Sequence, residues 1–221
     1  MAKQGTGFVG LSFHIGLVLL CCSCGKPKSV PSTINTADSQ AMKAAYDRLE
    51  KTLSTQATGI YTNLSPPATE NEIATLRAAL NGNTVEALET WYRWHNGTTG
   101  QLTDLLPLGH PLSIAEALED RRMMQSVPFV DQLRKNAIKL MDDGAGDGFF
   151  LDVTSTNPTV FYHMLEDPFP RSYGTMTEFI DFIASGFEQG VLFVDKAGNF
   201  AYDDARYKSL EEAHFGKIKK Q

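Results

Sequence analysis

The sequence contains few cysteines, no excess of basic side chains and no apolar run long enough to span a bilayer. Its three cysteines, Cys21, Cys22 and Cys24, lie within four positions of a chain of 221 residues. The rest of the chain therefore cannot hold a disulfide framework, and it has no Cys/His spacing typical of a zinc site. The cysteines bear on the N-terminus and not on the fold.

Basic side chains are also in the minority. The chain has 20 lysines and arginines against 26 aspartates and glutamates, which gives a formal net charge of −6. Only Lys3 is charged among the first 24 residues, so the remainder carries 19 basic and 26 acidic side chains. This balance argues against nucleic acid as a partner, because a phosphate backbone requires a basic face. It is compatible with a basic protein partner.

Residues 1–24 have the pattern of an export signal. A mostly apolar run, Phe8–Leu20, follows a weakly positive start, and it is shorter than the roughly 20 residues that a lone bilayer-spanning helix needs. The run ends in Leu-Leu-Cys-Cys-Ser-Cys-Gly-Lys, which resembles the lipobox of bacterial lipoproteins and implies lipidation of Cys24, with Cys22 as the alternative. Residues 25–37 are predicted to be a flexible linker. We expect a lipid-anchored protein of the cell envelope, or a cytoplasmic one if the leader is not processed.

Apolar periodicity and capping signals predict five helices before the tail. One covers Asp38–Ala57, and an aromatic one covers about Thr84–His95 and ends at Asn96-Gly97. The other three begin with a capping box, in which a Ser or Thr and a Glu three residues later satisfy each other's backbone N–H groups. The boxes pair Thr69 with Glu72, Ser113 with Glu116 and Thr175 with Glu178.

The centre of the chain, Ile138–Val153, is typical of a strand, a turn and a second strand. Its two apolar runs flank a segment made of Asp, Gly and one Ala, which contains Gly144, Gly146 and Asp147. We interpret this segment as a structural turn, because glycine adopts the positive φ that a tight reversal needs. It does not match a calcium loop, since Ala145 occupies a ligand position. A dinucleotide-binding loop would be followed by a helix, not a strand.

The remaining patterns complete an α+β prediction. Strands are expected at Leu105–Leu108 and Thr159–Leu165, a loop at Glu166–Tyr173, and a hairpin at Val191–Val194 with Phe200–Tyr202. Together they indicate a single, mostly antiparallel sheet, a meander flanked by helices. The expected domain covers residues 38–215, and residues 216–221 are a frayed basic tail.

Catalytic constellations are absent from the sequence. It has no nucleophile-elbow or zinc-protease motif and no Cys–His pairing in the body, and its five histidines are scattered. Asp142, Asp143 and Asp147 could form a metal or acid/base cluster, but carboxylates in a turn usually cap backbone N–H groups. We therefore predict no enzymatic activity, no metal and no cofactor.

The order of these elements resembles the SUKH superfamily, which groups bacterial toxin-immunity proteins with fungal cell-wall-assembly regulators. The similar region is about Leu64–Phe187. It has prolines before the first core helix, an aromatic helix ending in Asn96-Gly97, a D-G-x-G-D type turn at 143–147 and a closing helix with aromatic F-x-x-F spacing from Phe179. The resemblance implies a non-catalytic α+β domain that binds a protein. In bacteria it implies an immunity protein that neutralises a polymorphic toxin.

The lipoprotein leader departs from that pattern, and it points to a toxin that acts in or passes through the envelope. Two other classes remain open: an envelope-anchored scaffold or regulator of cell-wall enzymes, and an enzyme that uses the Asp-rich turn. We expect the partner contacts to be exposed residues around the open side of the sheet. They are Trp94, His110, Asp142, Asp143 and Tyr173.

Overall fold

The central turn joins two strands of a five-stranded antiparallel meander. In the computed structural model the strands pair in chain order: β1 (His110–Pro111), β2 (Ala137–Asp142), β3 (Gly148–Asp152), β4 (Val160–His163) and β5 (Arg171–Ser172). The predicted hairpin is also present, with β6 (Leu192–Val194) antiparallel to β7 (Phe200–Tyr202). The predicted α+β fold with an antiparallel meander is therefore confirmed.

The structure describes residues 36–82, 85–99, 103–107, 109–128, 132–165 and 169–217, which belong to one compact unit. The predicted leader, with Cys22 and Cys24, and the predicted linker up to residue 35 lie outside the described residues. So do the last four residues of the basic tail.

Eight helices occur in the described residues. All three predicted capping boxes are formed, at the starts of α3, α5 and α7. These boxes are local in sequence, and each satisfies two backbone N–H groups that a helix start leaves unpaired. The helices are α1 (Thr36–Gln56), α2 (Thr58–Tyr61), α3 (Glu70–Ala79), α4 (Glu86–Trp94), α5 (Ile114–Ser126), α6 (Gln132–Asn136), α7 (Met176–Glu188) and α8 (Asp204–Phe215).

The main core joins one face of the sheet to the helices, and within it α7 packs against α1. Helix α7 buries an aromatic stripe, and its Phe179 ring contacts the Phe149 ring of β3 at a centroid distance of 5.3 Å. Arg48 of α1 is paired with Asp181 and Glu188 of α7, at the solvent side of the α1–α7 contact. Burying this stripe supplies the favourable free energy that orders both helices.

The other face of the sheet carries a smaller cluster. Phe150 and Phe161 stack there at a centroid distance of 5.6 Å, next to Ala137 and the half-buried Leu133. Helices α5 and α6 lie against β2. The sheet is thus covered on both sides.

The strand predicted at Leu105–Leu108 is wrong. Leu105 donates its N–H to the carbonyl of Gly109 at 2.9 Å, so the chain reverses there instead of extending, and β1 begins only at His110. The apolar pattern did identify buried residues, since Leu105 and Leu106 are fully buried. A short apolar run alone does not distinguish a strand from a buried turn.

Besides β1, four elements were not predicted. Helix α2 directly follows the helix predicted at Asp38–Ala57. Strand β5 lies inside the segment interpreted as a loop, α6 lies in the stretch before the central hairpin, and α8 follows the C-terminal hairpin. Helix α8 has few apolar positions: it buries Tyr207 and Leu210, while its solvent side is charged. Its sequence therefore lacks the strong periodicity on which helix prediction depends.

Candidate functional site

The Asp-rich turn is held by its own carboxylates. One oxygen of Asp143, Oδ1, accepts the N–H groups of Ala145 and Asp147 at 2.8 and 3.1 Å. Asp147 Oδ1 in turn accepts the N–H of Leu165 at 2.6 Å, which ties the turn to the segment after β4. Gly144 and Gly146 adopt the positive φ expected of them. These contacts are those of a structural turn, as predicted for Gly144, Gly146 and Asp147.

Asp142, the remaining acidic residue, belongs to a buried ion cluster. Its Oδ1 lies 2.7 Å from Nζ of Lys139, which is 2% exposed and also lies 2.9 Å from Asp120 of α5. Lys139 Nζ further donates to the carbonyl of Gly146 at 3.2 Å. The cluster fixes the turn to α5. Among the described residues, no group of three or more His, Cys, Asp or Glu side chains could hold a metal ion.

Asn96 and Gly97, the other predicted structural turn, join three helices. The Asn96 amide donates to Glu72 of the α3 capping box at 2.9 Å, and its oxygen accepts the N–H of Ile114, the first residue of α5, at 2.8 Å. Gly97 has φ +83°, and a Cβ there would lie 2.5 Å from the backbone nitrogen of Ser113. The pair therefore ends α4 and fixes where α5 begins.

Two of the five predicted contact residues are buried, contrary to the expectation that they are exposed. His110 is 8% and Tyr173 3% exposed. His110 is opposite Asp142 in the β1–β2 pair, so these two residues are neighbours. Trp94 is half-buried on α4 and donates its indole N–H to Glu50 at 2.8 Å. Of the five predicted contact residues, only Tyr173 lines the cleft described next.

An open cleft of about 420 Å³ lies between the β4–β5 end of the sheet, the hairpin strand β7 and helix α8. Six of its thirteen lining residues are aromatic, and we call it the aromatic cleft. Its lining residues are Pro107, Phe149, Tyr162, Met164, Phe169, Arg171, Tyr173, Tyr202, Asp204, Tyr207, Lys208, Glu211 and Glu212.

The base of the aromatic cleft is a row of side chains across three strands. Phe149 is opposite Tyr162, and Tyr162 is opposite Arg171 in the sheet register, so all three point to the same face. Residues directly opposite each other in antiparallel strands have Cβ atoms about 5 Å apart. The meander therefore assembles this row from residues that are far apart in the sequence.

Helix α8 closes the base with a buried carboxylate. Glu211, 5% exposed, accepts a hydrogen bond from the hydroxyl of Tyr173 and forms an ion pair with Arg171. Arg171 also lies over the Tyr173 ring, with its guanidinium carbon 5.3 Å from the centroid. Burial, with the charge of Glu211 contributing, holds the pKa of Tyr173 well above its ordinary value. The pair attaches α8 to the edge of the sheet.

The mouth of the cleft exposes apolar surface. Phe169 is 63%, Tyr202 42% and Met164 41% exposed, and the neighbouring Leu165 is 61% exposed. Burial raises the pKa of Tyr162 to about 12, so this phenol remains protonated at neutral pH. Protonated phenols and a guanidinium can donate hydrogen bonds to a ligand.

Sequence reasoning missed most of this cleft. It assigned Arg171 to a loop and had no element at Tyr207 or Glu211. A local signal was present: Asp203 caps α8 by accepting the N–H of Arg206 at 3.1 Å, and Tyr207 and Leu210 follow at helical spacing. The cleft itself depends on tertiary packing and has no local signal.

The fold and this cleft define an α+β protein with an aromatic cleft at one edge of an antiparallel meander. Comparison with known proteins adds no relative: no family model matches the chain, and no curated protein matches it. Within the described residues, no helix is both long and apolar enough to cross a membrane.

Proposed function

We propose that this chain is a non-catalytic protein-binding module that neutralises a toxin by binding it. The observation that carries the proposal is the aromatic cleft, because its mouth exposes Met164, Phe169 and Tyr202 together. Aromatic residues, Met and Arg are enriched in protein interfaces, and an exposed apolar patch of this kind is typical of a docking site. The resemblance to the SUKH superfamily suggests the class of partner.

Electrostatics supports a basic partner. The chain outside the first 24 residues has seven more acidic than basic side chains. In the cleft, Arg171 is paired with Glu211 and Lys208 with Asp204, while Glu212 carries a further negative charge at the wall. Opposite charges across an interface mainly increase the association rate and exclude wrong partners. The partner would insert an apolar side chain into the cleft and place basic residues around it.

The structural roles of the acidic turn favour binding over catalysis. Asp142 is paired with Lys139, and Asp143 accepts two backbone N–H groups. These contacts leave neither carboxylate positioned for acid/base catalysis. This is the reason for preferring a binding module over an enzyme that uses the turn.

An affinity capture with matched variants tests the proposal. The tagged full chain is used to capture partners from envelope and neighbouring-strain extracts, read by mass spectrometry, beside the double variant Phe169→Ala, Tyr202→Ala. Removing two exposed aromatic side chains should weaken the complex by roughly 2–4 kcal/mol, about 30-fold or more, with little effect on stability. Phe193→Ala is the control, because Phe193 is 39% exposed and lies on the other face of the same hairpin.

A single basic partner that the wild type and Phe193→Ala recover and the double variant loses supports the proposal. That partner must also kill cells that lack this chain and spare cells that express it. Recovery of cell-wall synthesis proteins alone would instead favour the envelope scaffold, and equal recovery by the double variant would exclude the cleft.

We further propose that lipidation of Cys24, or of Cys22, anchors the module at the envelope, where such a toxin acts or passes. Mass spectrometry of the membrane-extracted chain would detect the lipid on the modified cysteine. Cys24→Ser and Cys22→Ser, made singly, should show which of the two changes releases the chain from the membrane fraction and lowers survival of the toxin. A membrane fraction unchanged in both variants would contradict the anchor and leave the binding proposal intact.

A further inference from the structure

A second, smaller cleft shares no lining residue with the aromatic cleft. It has a volume of about 310 Å³ and is formed by the end of α3, by α5 and by the turn after β3. We call it the Arg121 cleft. Its lining residues are Leu80, Asn81, Arg121, Val153 and Thr154.

Arg121 has no counter-ion among the described residues. Its guanidinium makes no ion pair or hydrogen bond with them, and its Nη1 is shielded from solvent without a partner. Burial lowers the pKa of Arg121, and no acidic neighbour opposes that effect. Other arginines of this chain do have carboxylate partners: Arg48, Arg77, Arg93, Arg122 and Arg171.

The adjacent arginine shows the contrast within one helix. Arg122 is exposed and donates from Nε and Nη2 to both oxygens of Glu119, at 2.8 and 2.5 Å. Two acidic residues are direct sequence neighbours of residues that line the Arg121 cleft. Asp120 is paired with Lys139, and Asp152 Oδ1 accepts both the N–H and the hydroxyl of Thr154. Asp152 is thus engaged within its own turn.

Arg121 is half-buried. A partly desolvated guanidinium without a counter-ion is destabilising, because moving a charge out of water has to be offset by pairing or hydrogen bonds. An anion bound from solution provides that pairing. The planar guanidinium fork matches carboxylate and phosphate oxygens two at a time, and the amide of Asn81 is a neutral donor lining the same cleft.

We propose that the Arg121 cleft is a binding site for a small oxyanion, a carboxylate or phosphate group held by the guanidinium of Arg121. Its volume lies at the lower end of the range for small-molecule sites. It therefore accommodates a free ion or the acidic group of a small molecule. The site does not depend on the proposed toxin binding, since it shares no lining residue with the aromatic cleft.

Thermal unfolding of the full chain at constant ionic strength tests the site. Inorganic phosphate and acetate are titrated separately against a chloride background, and isothermal titration calorimetry measures the affinity directly. At about ten times the dissociation constant, the effective anion should raise Tm by about 3–6 °C, because it binds only the folded state. Which of the two probes binds identifies the class of oxyanion.

Two neutralising variants on α5 decide whether Arg121 is responsible. Arg121→Gln should abolish the shift and leave Tm in chloride equal to or above that of the wild type, because an unpaired charge is removed. Arg122→Gln changes the net charge equally and should keep the full shift.

Three results would overturn the proposal. The first is a wild-type Tm that neither anion raises. The second is an equal loss of the shift in Arg122→Gln, which would indicate a general charge effect. The third is a large drop in Tm for Arg121→Gln in chloride, which would show that Arg121 stabilises the fold through its own contacts.

Discussion

Substitutions of Asp143 can distinguish a structural role of its carboxylate from a catalytic one. Only Oδ1 accepts the two N–H groups of the turn, so an asparagine can replace it by using its carbonyl oxygen. We expect Asp143→Asn to cost about 0.5 kcal/mol or less. Asp143→Ala, which leaves both N–H groups without their acceptor, should cost about 1–2 kcal/mol. Urea denaturation of both variants measures the difference, and an activity that both abolish at unchanged stability would identify a catalytic aspartate instead.

Lys139 is a buried cation whose two carboxylate partners depend on it. Lys139→Met keeps most of the side-chain volume but leaves Asp120 and Asp142 facing each other without a cation. Breaking a buried ion pair from one side costs about 3–5 kcal/mol, because the remaining charge stays desolvated. We expect a loss of about 3 kcal/mol, since both carboxylates retain some exposure.

The charge explanation for Lys139 has its own control. Adding Asp120→Asn and Asp142→Asn to Lys139→Met removes the unpaired charges and should restore most of the stability in urea denaturation. If the triple variant is as unstable as Lys139→Met alone, then Lys139 stabilises the fold through the packing of its aliphatic stem and not through its charge.

At the scale of elements, the junction at Asn96-Gly97 determines how α4 meets α5. Gly97→Ala combines a positive φ with a Cβ only 2.5 Å from the Ser113 nitrogen, so the backbone of the α5 cap would have to move. We expect a loss of about 2–4 kcal/mol. Gly82→Ala has a similar φ of +76° with nothing within 4 Å of its Cβ, and it should cost only about 1 kcal/mol. Chemical denaturation measures the free energy of unfolding of both variants. Equal losses would mean that the positive φ, and not the close approach to Ser113, determines the cost of alanine at position 97.

The elements that could be predicted are those whose signal is local. Each capping box lies within four residues, and the central Asp/Gly turn carries its own hydrogen-bond acceptors, so both were predicted correctly. Strand β5 is two residues long and is defined by its pairing with β4, in which Ser172 lies opposite Phe161 and Arg171 opposite Tyr162. The aromatic cleft and the burial of His110 and Tyr173 likewise depend on which elements pack together, and short-range patterns do not encode that.

At the scale of the whole molecule, Glu50 connects the N-terminal helix to two others. Its Oε1 accepts the hydroxyl of Tyr61 at 2.7 Å, and its Oε2 accepts the indole N–H of Trp94 at 2.8 Å and lies 3.2 Å from His95 Nε2. Helix α1 is therefore attached to α2 and α4 as well as to α7. Trp94, predicted as a partner contact, is engaged in this connection.

The same carboxylate makes part of the stability depend on pH. Partial burial favours the neutral form, but the hydrogen bonds from Tyr61, Trp94 and His95 outweigh it and hold the pKa of Glu50 below its ordinary value. A lowered folded-state pKa means that the folded chain prefers the carboxylate. This stabilisation is complete above the ordinary carboxyl range and is lost as the pH falls through it towards the folded pKa.

Glu50→Gln tests this dependence, because glutamine supplies one acceptor oxygen and cannot accept from both Tyr61 and Trp94. Since the side chain of Glu50 is 38% exposed, we expect a loss of only about 1 kcal/mol at pH 7. The difference from wild type should shrink below about pH 4, where the wild-type carboxylate also becomes protonated. Asp38→Asn, an exposed change of the same charge on α1, should show little difference at either pH. A Glu50→Gln deficit that stays constant down to pH 3 would assign the role of Glu50 to side-chain shape, because a deficit carried by the ionised hydrogen bonds must disappear with the charge.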